Sequence, residues 1–252
     1  MAGLTTLEKG LNILSLFDKD HPVMSIPEIA ARLNLPESTS YRYVATLKSQ
    51  RLIEEDTKPG YYRLGLKILE SAQVVKQQSI INSSFPIMEQ LSNQTGEIVM
   101  LAGIYDQKGI CLEKVESHHN LRVSFERGAT FYLHAGATGK TLMAYLDEKE
   151  QDSIIKEIGL PKFTENTTID PEKLKVELKR IREDGFAVSD GEVHQGVRAI
   201  AAPIFNGRGK MIADLSVGAP IHRLEGSRKE ETIRLVIDTA RKITEQMSVY
   251  EG

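Results

Sequence analysis

Two short stretches of the chain hold residue types that could do chemistry. The first is GATGKT at residues 136–141, which resembles the end of a phosphate-binding loop. The complete motif needs a further glycine where this chain has His134. The stretch therefore predicts a loop that opens onto the start of a helix rather than a nucleotide site. The N–H groups at such a helix start attract a carboxylate or another anion.

The second stretch covers residues 185–206 and joins polar side chains to an apolar run. Its polar members are Ser189, Asp190, Glu192, His194 and Arg198. Acid–base catalysis is one interpretation, but no matching nucleophile or metal-ligand triad accompanies these groups. A metal held by His194 with His118 and His119 is another, but their spacing is not that of metal ligands. The sequence thus predicts no catalytic residue, no metal site and no cofactor.

A binding pocket is the interpretation that these stretches favour. The small side chains of Ala199, Ala201 and Ala202 leave room for a ligand beside the predicted strand. Ser189, Ser216 and the loop at residues 137–138 can supply a few directed hydrogen bonds.

Composition sets the frame for these sites. The chain has 252 residues, of which 40% are apolar and 27% charged, so it is long and apolar enough for two folded domains. No apolar run is long enough to span a bilayer, and the N-terminus lacks the pattern of a signal peptide, so we expect a cytoplasmic protein without membrane contact. The single cysteine, Cys111, excludes an internal disulfide, and we expect it to be a buried thiol.

The first 50 residues carry three helical patterns. Apolar residues from Leu7 to Phe17 share one helical face. Ser25 and Glu28 form a capping box that starts a second, short helix, and Asn34 marks its end. A third helix is predicted from about Pro36 to Ser49. A short helix, a tight turn and a second helix are typical of a helix-turn-helix.

The outward face of the third helix is small, hydroxylated and basic. With Ser40 pointing inward, Tyr43, Val44 and Leu47 share the inner face. The outer face is expected to hold Ser38, Thr39, Arg42, Ala45 and Thr46, with Tyr41 at its flank. Such a face fits the major groove, where bulk would block approach while arginine and hydroxyl groups reach bases and phosphates. A protein-interaction module remains the alternative.

A hairpin and a connecting helix follow. Residues 51–56 and 61–64 read as two strands around a turn at 57–60, which is the position of a wing. Lys58 and Arg63 are the expected phosphate contacts. The next segment is predicted to be helical, with an apolar stripe at Leu66, Leu69, Ala72 and Val75. We interpret the stripe as a dimer contact, with packing inside one chain as the alternative.

From about residue 80 the pattern changes to strands with intervening helices. Strands are expected at residues 98–104, 109–115, 121–125, 186–188, 197–205 and 211–218. Helices are expected at residues 85–96, 139–146, 147–158, 171–183 and 227–247. This order predicts an α+β domain with a mainly antiparallel sheet. The domains are then residues 1–65 for DNA binding, 66–79 for a linker helix and 80–252 for ligand binding.

The whole chain resembles the IclR family of bacterial transcription factors. The resemblance rests on LEKGLNILSLF, on SIPEIAARLNLPESTSYRYVATL, on YYRLG after the wing, and on a C-terminal signature. That signature runs from Gly185 through Ser189 and Glu192 to Ala199-Ile200-Ala201 and Ile204-Phe205-Asn206.

The resemblance implies a winged helix-turn-helix, a linker helix and an effector domain related to GAF and PAS-like sensors. It implies dimers, or dimers of dimers, that bind palindromic double-stranded operators and respond to organic acids, sugar acids or aromatic compounds. It places the effector carboxylate at Ala137-Thr138. The other positions that it implies for the effector site are Asp190 beside Ser189, together with Ala199, Ser216 and Gly218, and an apolar wall of Val123, Phe131 and Val197.

The chain departs from the family pattern inside that pocket. The family's keto-acid sensors have Asp, Cys and Ser where this chain has Ser189, Ala199 and Gly218. A roomier and less polar pocket follows, which disfavours a keto acid of two or three carbons. Two rival functions stay open. One is an enzyme built on residues 80–252, which would turn over a small acid. The other is a sensor that binds protein, which would cause no salt-dependent shift of duplex DNA in a binding assay.

Overall fold

The computed structural model describes residues 6–77, 80–119 and 125–250. The chain divides into two compact units, Met1–Gln78 and Ser79–Gly252, which we call the N-terminal unit and the C-terminal unit. The connecting helix groups with the N-terminal unit.

The N-terminal unit is a small helical domain with a three-stranded antiparallel sheet. Its helices are α1 (Thr6–Leu14), α2 (Ile26–Leu33), α3 (Glu37–Ser49) and α4 (Leu66–Gln77). Its strands are β1 (Met24–Ser25), β2 (Ile53–Glu55) and β3 (Tyr61–Leu64), in the order β1-β3-β2. The predicted helices and hairpin are confirmed. Strand β1 was not predicted, because two residues are too few to show an alternating pattern.

Local contacts explain where α2 begins and ends, and burial shows which face of α3 packs inward. The Glu28 carboxylate accepts hydrogen bonds from the Ser25 N–H and hydroxyl, each at 2.7 Å, so the reach-back half of the predicted capping box is present. Asn34 ends α2 in the left-handed region, with φ of 50°. Ser40, Val44 and Leu47 are buried as predicted, and Tyr43 is half-buried.

Helix α4 starts at a close backbone approach. The Gly65 N–H donates to the Leu52 carbonyl over 2.9 Å. A Cβ atom at Gly65 would lie 2.2 Å from the carbonyl oxygen of Arg51, so only glycine fits there. Leu66 and Leu69 of the predicted stripe are 73% and 57% exposed. The Val75 side chain lies outside the described part of the chain.

The C-terminal unit is built on one six-stranded antiparallel sheet. Its strands are β4 (Ile98–Tyr105), β5 (Lys108–Val115), β6 (Thr130–Phe131), β7 (Ala187–Asp190), β8 (Val197–Phe205) and β9 (Met211–Pro220), in the order β6-β5-β4-β9-β8-β7. Its helices are α5 (Ile80–Thr95), α6 (Gly136–Ala144), α7 (Glu148–Glu157), α8 (Pro171–Asp184) and α9 (Gly226–Tyr250), with a 3-10 turn at Ile221–Arg223. The predicted α+β class with an antiparallel sheet is confirmed.

Helices cover both faces of this sheet. On β8, Ile200 and Ile204 belong to the apolar core that includes residues of α5 and α9. Ala201, on the opposite face, belongs to a second core with residues of α6, α7 and α8. Because both faces are buried, the central strands read as nearly continuous apolar runs. The second core is the one beside the candidate site.

Two details of the C-terminal unit differ from the sequence predictions, and one prediction lies mostly outside the described residues. Helix α6 begins at Gly136 rather than at Gly139, so Ala137 and Thr138 lie in its first turn. Strand β6 pairs Phe131 with Gly109, although no strand was predicted there. The predicted strand at 121–125 falls mostly outside the described residues, and with it Val123. Across the described helices, none combines the length and apolar character that crossing a membrane requires.

Candidate functional site

The outward face of α3 presents the side chains predicted to contact DNA. Ser38, Tyr41, Arg42 and Thr46 are exposed, and Thr39 is half-buried. The Thr46 hydroxyl donates to the Arg42 carbonyl over 2.9 Å, so its hydrogen is used within the helix. The Arg42 guanidinium has no side-chain or backbone partner among the described residues, which leaves all its donors for an external acceptor.

The two basic residues of the wing differ in whether their charges are paired with carboxylates. The Lys58 ammonium lies 3.6 Å from the centre of the Tyr61 ring, a cation–π contact that leaves the ammonium exposed at the tip. Arg63 instead donates to Glu54 over 2.9 Å and lies 3.7 Å from Asp56. Arg63 therefore brings a largely neutralised charge, whereas Arg42 and Lys58 bring unpaired ones.

The C-terminal unit contains a cavity of about 310 Å³ at the start of α6. The predicted site residues that line it are Phe131, Ala137, Thr138, Ser189, Val197 and Ala199. Further lining residues include Met100, Phe125, Tyr132, Phe163, Glu192, Val193 and His194. The lining is mainly apolar, with its polar groups gathered at the first turn of α6.

The first turn of α6 aims its N–H groups at this cavity. The Gly136 N–H donates to the Glu192 carboxylate over 3.2 Å, and the Ala137 N–H donates to the Ser189 hydroxyl over 2.9 Å. Thr138 is only 8% exposed and lines the cavity, and its hydroxyl has no partner among the described residues. A buried hydroxyl beside a helix N-terminus suits a carboxylate ligand, because it adds a donor to the positive end of the helix dipole.

The buried ammonium of Lys140, which lies in α6, pairs with Glu192 beside this helix turn. The Lys140 ammonium lies 2.7 Å from the Glu192 carboxylate and 2.5 Å from that of Glu177. Lys140 and Glu192 are nearly buried, whereas the Glu177 side chain is 41% exposed. The pairing satisfies charges that could not be buried alone.

Aromatic rings frame one side of the cavity. Tyr132, His134 and Phe163 form a cluster with ring centres 5.4–5.8 Å apart. Burial lowers the pKa of His134, since its surroundings disfavour the charged ring. Its Nε2 lies 2.9 Å from the Pro161 carbonyl oxygen, so the neutral ring can donate there. His134 therefore adds little positive charge near neutral pH.

Three predicted effector residues do not reach the cavity lining. Asp190 is bonded to Arg198, whose Nη2 donates to it over 2.9 Å, and this bond holds the pKa of Asp190 below its usual range. Ser216 is buried on β9 and has Met100 as its cross-strand neighbour on β4. Gly218 pairs with Ala199 and lies beside the cavity strand without lining the cavity.

Glu192 belongs to the polar cluster of residues 185–206, but the sequence did not predict that it lines the pocket. Its spacing after Ser189 can be read from the sequence, whereas its hydrogen bond to the Gly136 N–H depends on tertiary structure. Phe163 gave no signal, because it lies in an irregular segment between α7 and α8. Cys111 is buried as expected, and burial raises its pKa to about 11, so it is a poor nucleophile. Within the described residues no cluster of three metal-ligating side chains occurs.

Comparisons with known proteins agree with this architecture. Residues 6–57 match the IclR helix-turn-helix domain, and residues 72–245 match the bacterial transcriptional regulator IclR C-terminal domain. The chain is 30% identical over 243 residues to the transcriptional repressor AllR of Escherichia coli K12, covering 96% of this chain and 90% of the repressor. It is 29% identical over 249 residues to the regulator KdgR of the same strain, covering 98% and 94%.

Solved structures share the fold. An IclR transcriptional regulator from Silicibacter sp. TM1040 superposes with a TM-score of 0.88 at 24% identity, covering 97% of this chain and 96% of the other. An IclR homologue from Microbacterium hydrocarbonoxydans, solved with 4-hydroxybenzoate, gives 0.85 at 23% identity, covering 97% and 100%. With matches to both of its domain models and relatives aligned along nearly its whole length, the chain belongs to the IclR family of bacterial DNA-binding transcriptional regulators.

Proposed function

We propose that a small organic carboxylate, bound in the cavity of the C-terminal unit, modulates the affinity of this regulator for its operator. The observation that carries the proposal is the first turn of α6, where Thr138, whose hydroxyl has no partner among the described residues, lines a mainly apolar cavity. The position matches the one that the family resemblance implies for the effector carboxylate.

The lining favours an aromatic or largely apolar acid over a sugar acid. Every buried hydroxyl of a sugar acid needs a hydrogen-bond partner, and the cavity offers few polar groups beyond the α6 turn. A flat ring can instead contact Phe125, Phe131 and Val197. The relative solved with 4-hydroxybenzoate shows that a protein of this fold accepts such a ligand.

The same geometry disfavours an enzyme at this cavity. The Glu192 carboxylate is held by Lys140 and Gly136, and the Ser189 hydroxyl accepts from Ala137. General acid–base catalysis needs a group free to exchange a proton with the substrate. We therefore propose a binding site without turnover, in a cytoplasmic protein.

A homodimer is the proposed assembly on DNA, with a dimer of dimers as the larger alternative. Leu7, Leu11, Leu66 and Leu69 of the N-terminal unit are large apolar side chains that are exposed. Two copies that bury such side chains against each other can contact two half-sites at fixed spacing.

The test combines DNA binding with a ligand screen. Fragments of the host genome should bind the full chain with an affinity that falls steeply as salt rises, because phosphate contacts release counterions. A thermal-shift screen of aromatic, keto and sugar acids should raise the melting temperature with an aromatic acid, since a ligand that binds only the folded state stabilises it. The carboxylates that raise the melting temperature are then tested for their effect on operator affinity. If none of them changes it, the proposal is wrong.

A further inference from the structure

The carboxylate of Glu192 lies where an effector carboxylate is expected. Its Oε2 accepts the N–H of Gly136, the first residue of α6, and its side chain lines the cavity. The next N–H, of Ala137, is already donated to Ser189. The protein thus places its own anion at the positive end of the α6 dipole, in the cavity that Thr138 also lines.

The charge of this anion is only partly balanced. Lys140 is the buried cation 2.7 Å from Glu192, but it also pairs with Glu177, which in turn accepts a hydrogen bond from Thr168 over 2.9 Å. Two carboxylates share one ammonium, so this group of three side chains carries one net negative charge. An effector carboxylate that reaches α6 meets that charge in a partly buried setting, where screening by water is weak.

We propose that Glu192 is a built-in competitor for the effector carboxylate. This inference rests on the proposed function, because it concerns the same cavity. The Glu192 carboxylate and the effector carboxylate both need the N–H groups at the start of α6, and two negative charges held at the same helix end repel each other. A bound effector takes the place of Glu192 on Gly136 and leaves Glu192 on Lys140 alone. The strength with which Lys140 holds Glu192 then sets the affinity for an anionic ligand.

Displacement of Glu192 would also act on the irregular segment between α7 and α8, which contains Phe163. The Glu192 carbonyl accepts the Thr167 hydroxyl over 2.7 Å, and the Thr164 hydroxyl donates to the Gly191 carbonyl over 2.6 Å. These bonds tie the strand-end loop to the segment that carries Phe163, which lines the cavity. Replacement of Glu192 by an effector carboxylate would therefore act, through these bonds, on the segment that carries Phe163.

The test compares a charged probe with a neutral probe of the same shape. Benzoate carries a carboxylate on a ring suited to the apolar lining, and benzamide has the same outline without the charge. Their affinities for the full chain are measured by titration calorimetry. We expect Glu192→Gln, which keeps the side-chain shape, to bind benzoate about tenfold more tightly than wild type, with benzamide unchanged.

Two matched variants separate competition from a general charge effect. Glu177→Gln removes the same negative charge from Lys140 at a carboxylate that is 41% exposed and does not line the cavity, so we expect benzoate affinity to rise by no more than about twofold. Lys140→Met leaves Glu192 charged without its cation, and we expect benzoate to bind about tenfold more weakly while benzamide is unaffected. A much larger tightening in Glu192→Gln than in Glu177→Gln would support competition, because both substitutions remove one negative charge from Lys140. Weaker benzoate binding by Lys140→Met is a second result that competition requires, so the test stays valid if one variant does not fold.

Four outcomes would overturn the proposal. Equal or weaker benzoate binding by Glu192→Gln would show that Glu192 does not compete. Equal tightening by Glu177→Gln and Glu192→Gln would indicate a long-range charge effect. If benzoate binds wild type and changes operator affinity while Glu192→Gln behaves identically, the competitor is rejected and the proposed function stands. If neither protein binds benzoate although both bind DNA, the competitor and the aromatic-acid effector are both rejected.

Discussion

We expect DNA recognition to depend most on Arg42, because its guanidinium is exposed and unpaired among the described residues. We expect Arg42→Ala to cost about 1–3 kcal/mol of operator binding if it contacts a base, or to lower the salt slope by about one if it contacts a phosphate. Arg63→Ala is the matched control, since Arg63 is already paired with Glu54 and Asp56. Fluorescence anisotropy at several salt concentrations measures both. A larger loss with Arg63→Ala would contradict the assignment.

Asp214 gives the C-terminal unit an unusual dependence on pH. It is fully buried on β9, and neither carboxyl oxygen has a partner among the described residues. Burial raises its pKa well above its ordinary value of 3.8, since the charged form is poorly solvated.

The sign of the pH effect follows from this shift. Above about pH 4 the unfolded chain ionises Asp214 while the folded chain keeps it protonated, so stability falls with rising pH until the folded pKa is passed. We expect Asp214→Asn to remove this loss, which amounts to about 1.4 kcal/mol per pH unit within that window. Urea unfolding of both proteins between pH 4 and pH 8 measures it. Parallel stability curves would show that Asp214 does not titrate in this way.

At the scale of elements, the pairing of β5 with β6 shapes the cavity wall. Gly109 lies opposite Phe131, and a Cβ atom there would lie 2.1 Å from the Phe131 ring. Gly109→Ala must therefore displace a ring that lines the cavity, and we expect the thermal shift caused by a bound acid to shrink or vanish. Gly103→Ala in the same hairpin is the control, because its Cβ would come close only to the flexible Leu112 side chain, at 3.2 Å, and would lie at an ordinary contact distance of 3.9 Å from the Ile212 carbonyl oxygen. Equal effects of the two variants would argue against a role for Phe131.

The exposed stripe of α4 makes a prediction about assembly. Leu69→Glu places a charge on the proposed contact without disturbing a buried side chain, so we expect the fold to persist while the dimer dissociates and operator affinity falls. Sedimentation velocity and circular dichroism report the two effects separately. Lys67→Ala on the same helix should change neither. A Leu69→Glu protein that remains a dimer would place the contact elsewhere.

Element types were largely predictable from the sequence, whereas the composition of the site was not. Periodicity located α3 and its buried face because Ser40, Val44 and Leu47 follow the helical repeat. The cavity instead depends on strand register and on an irregular segment, neither of which leaves a periodic pattern. Ser216 was predicted from its residue type to contact the ligand; it is the cross-strand neighbour of Met100, which lines the cavity, but Ser216 itself is not part of the lining. The family resemblance implies an anion position at Ala137 and Thr138, which stays a prediction, and it gave no sign that Glu192 accepts the N–H of Gly136.

At the scale of the whole molecule, regulation requires that the two binding events influence each other. If effector binding changes operator affinity by some factor, operator DNA must change effector affinity by the same factor, which is typically 5–150-fold. The prediction is checked by measuring effector affinity with and without saturating operator DNA, on the full chain. Unequal factors would show that a third equilibrium, such as a change of oligomeric state, is involved.

The close approach at Gly65 determines how a twist of α4 could reach the DNA-reading surface. Main-chain atoms of Gly65 lie against those of Arg51 and Leu52, which follow α3 within three residues. A rotation of α4 would therefore act on the end of the recognition helix through the main chain and would not depend on any one side chain. A methyl group at Gly65 would push these two main-chain segments apart.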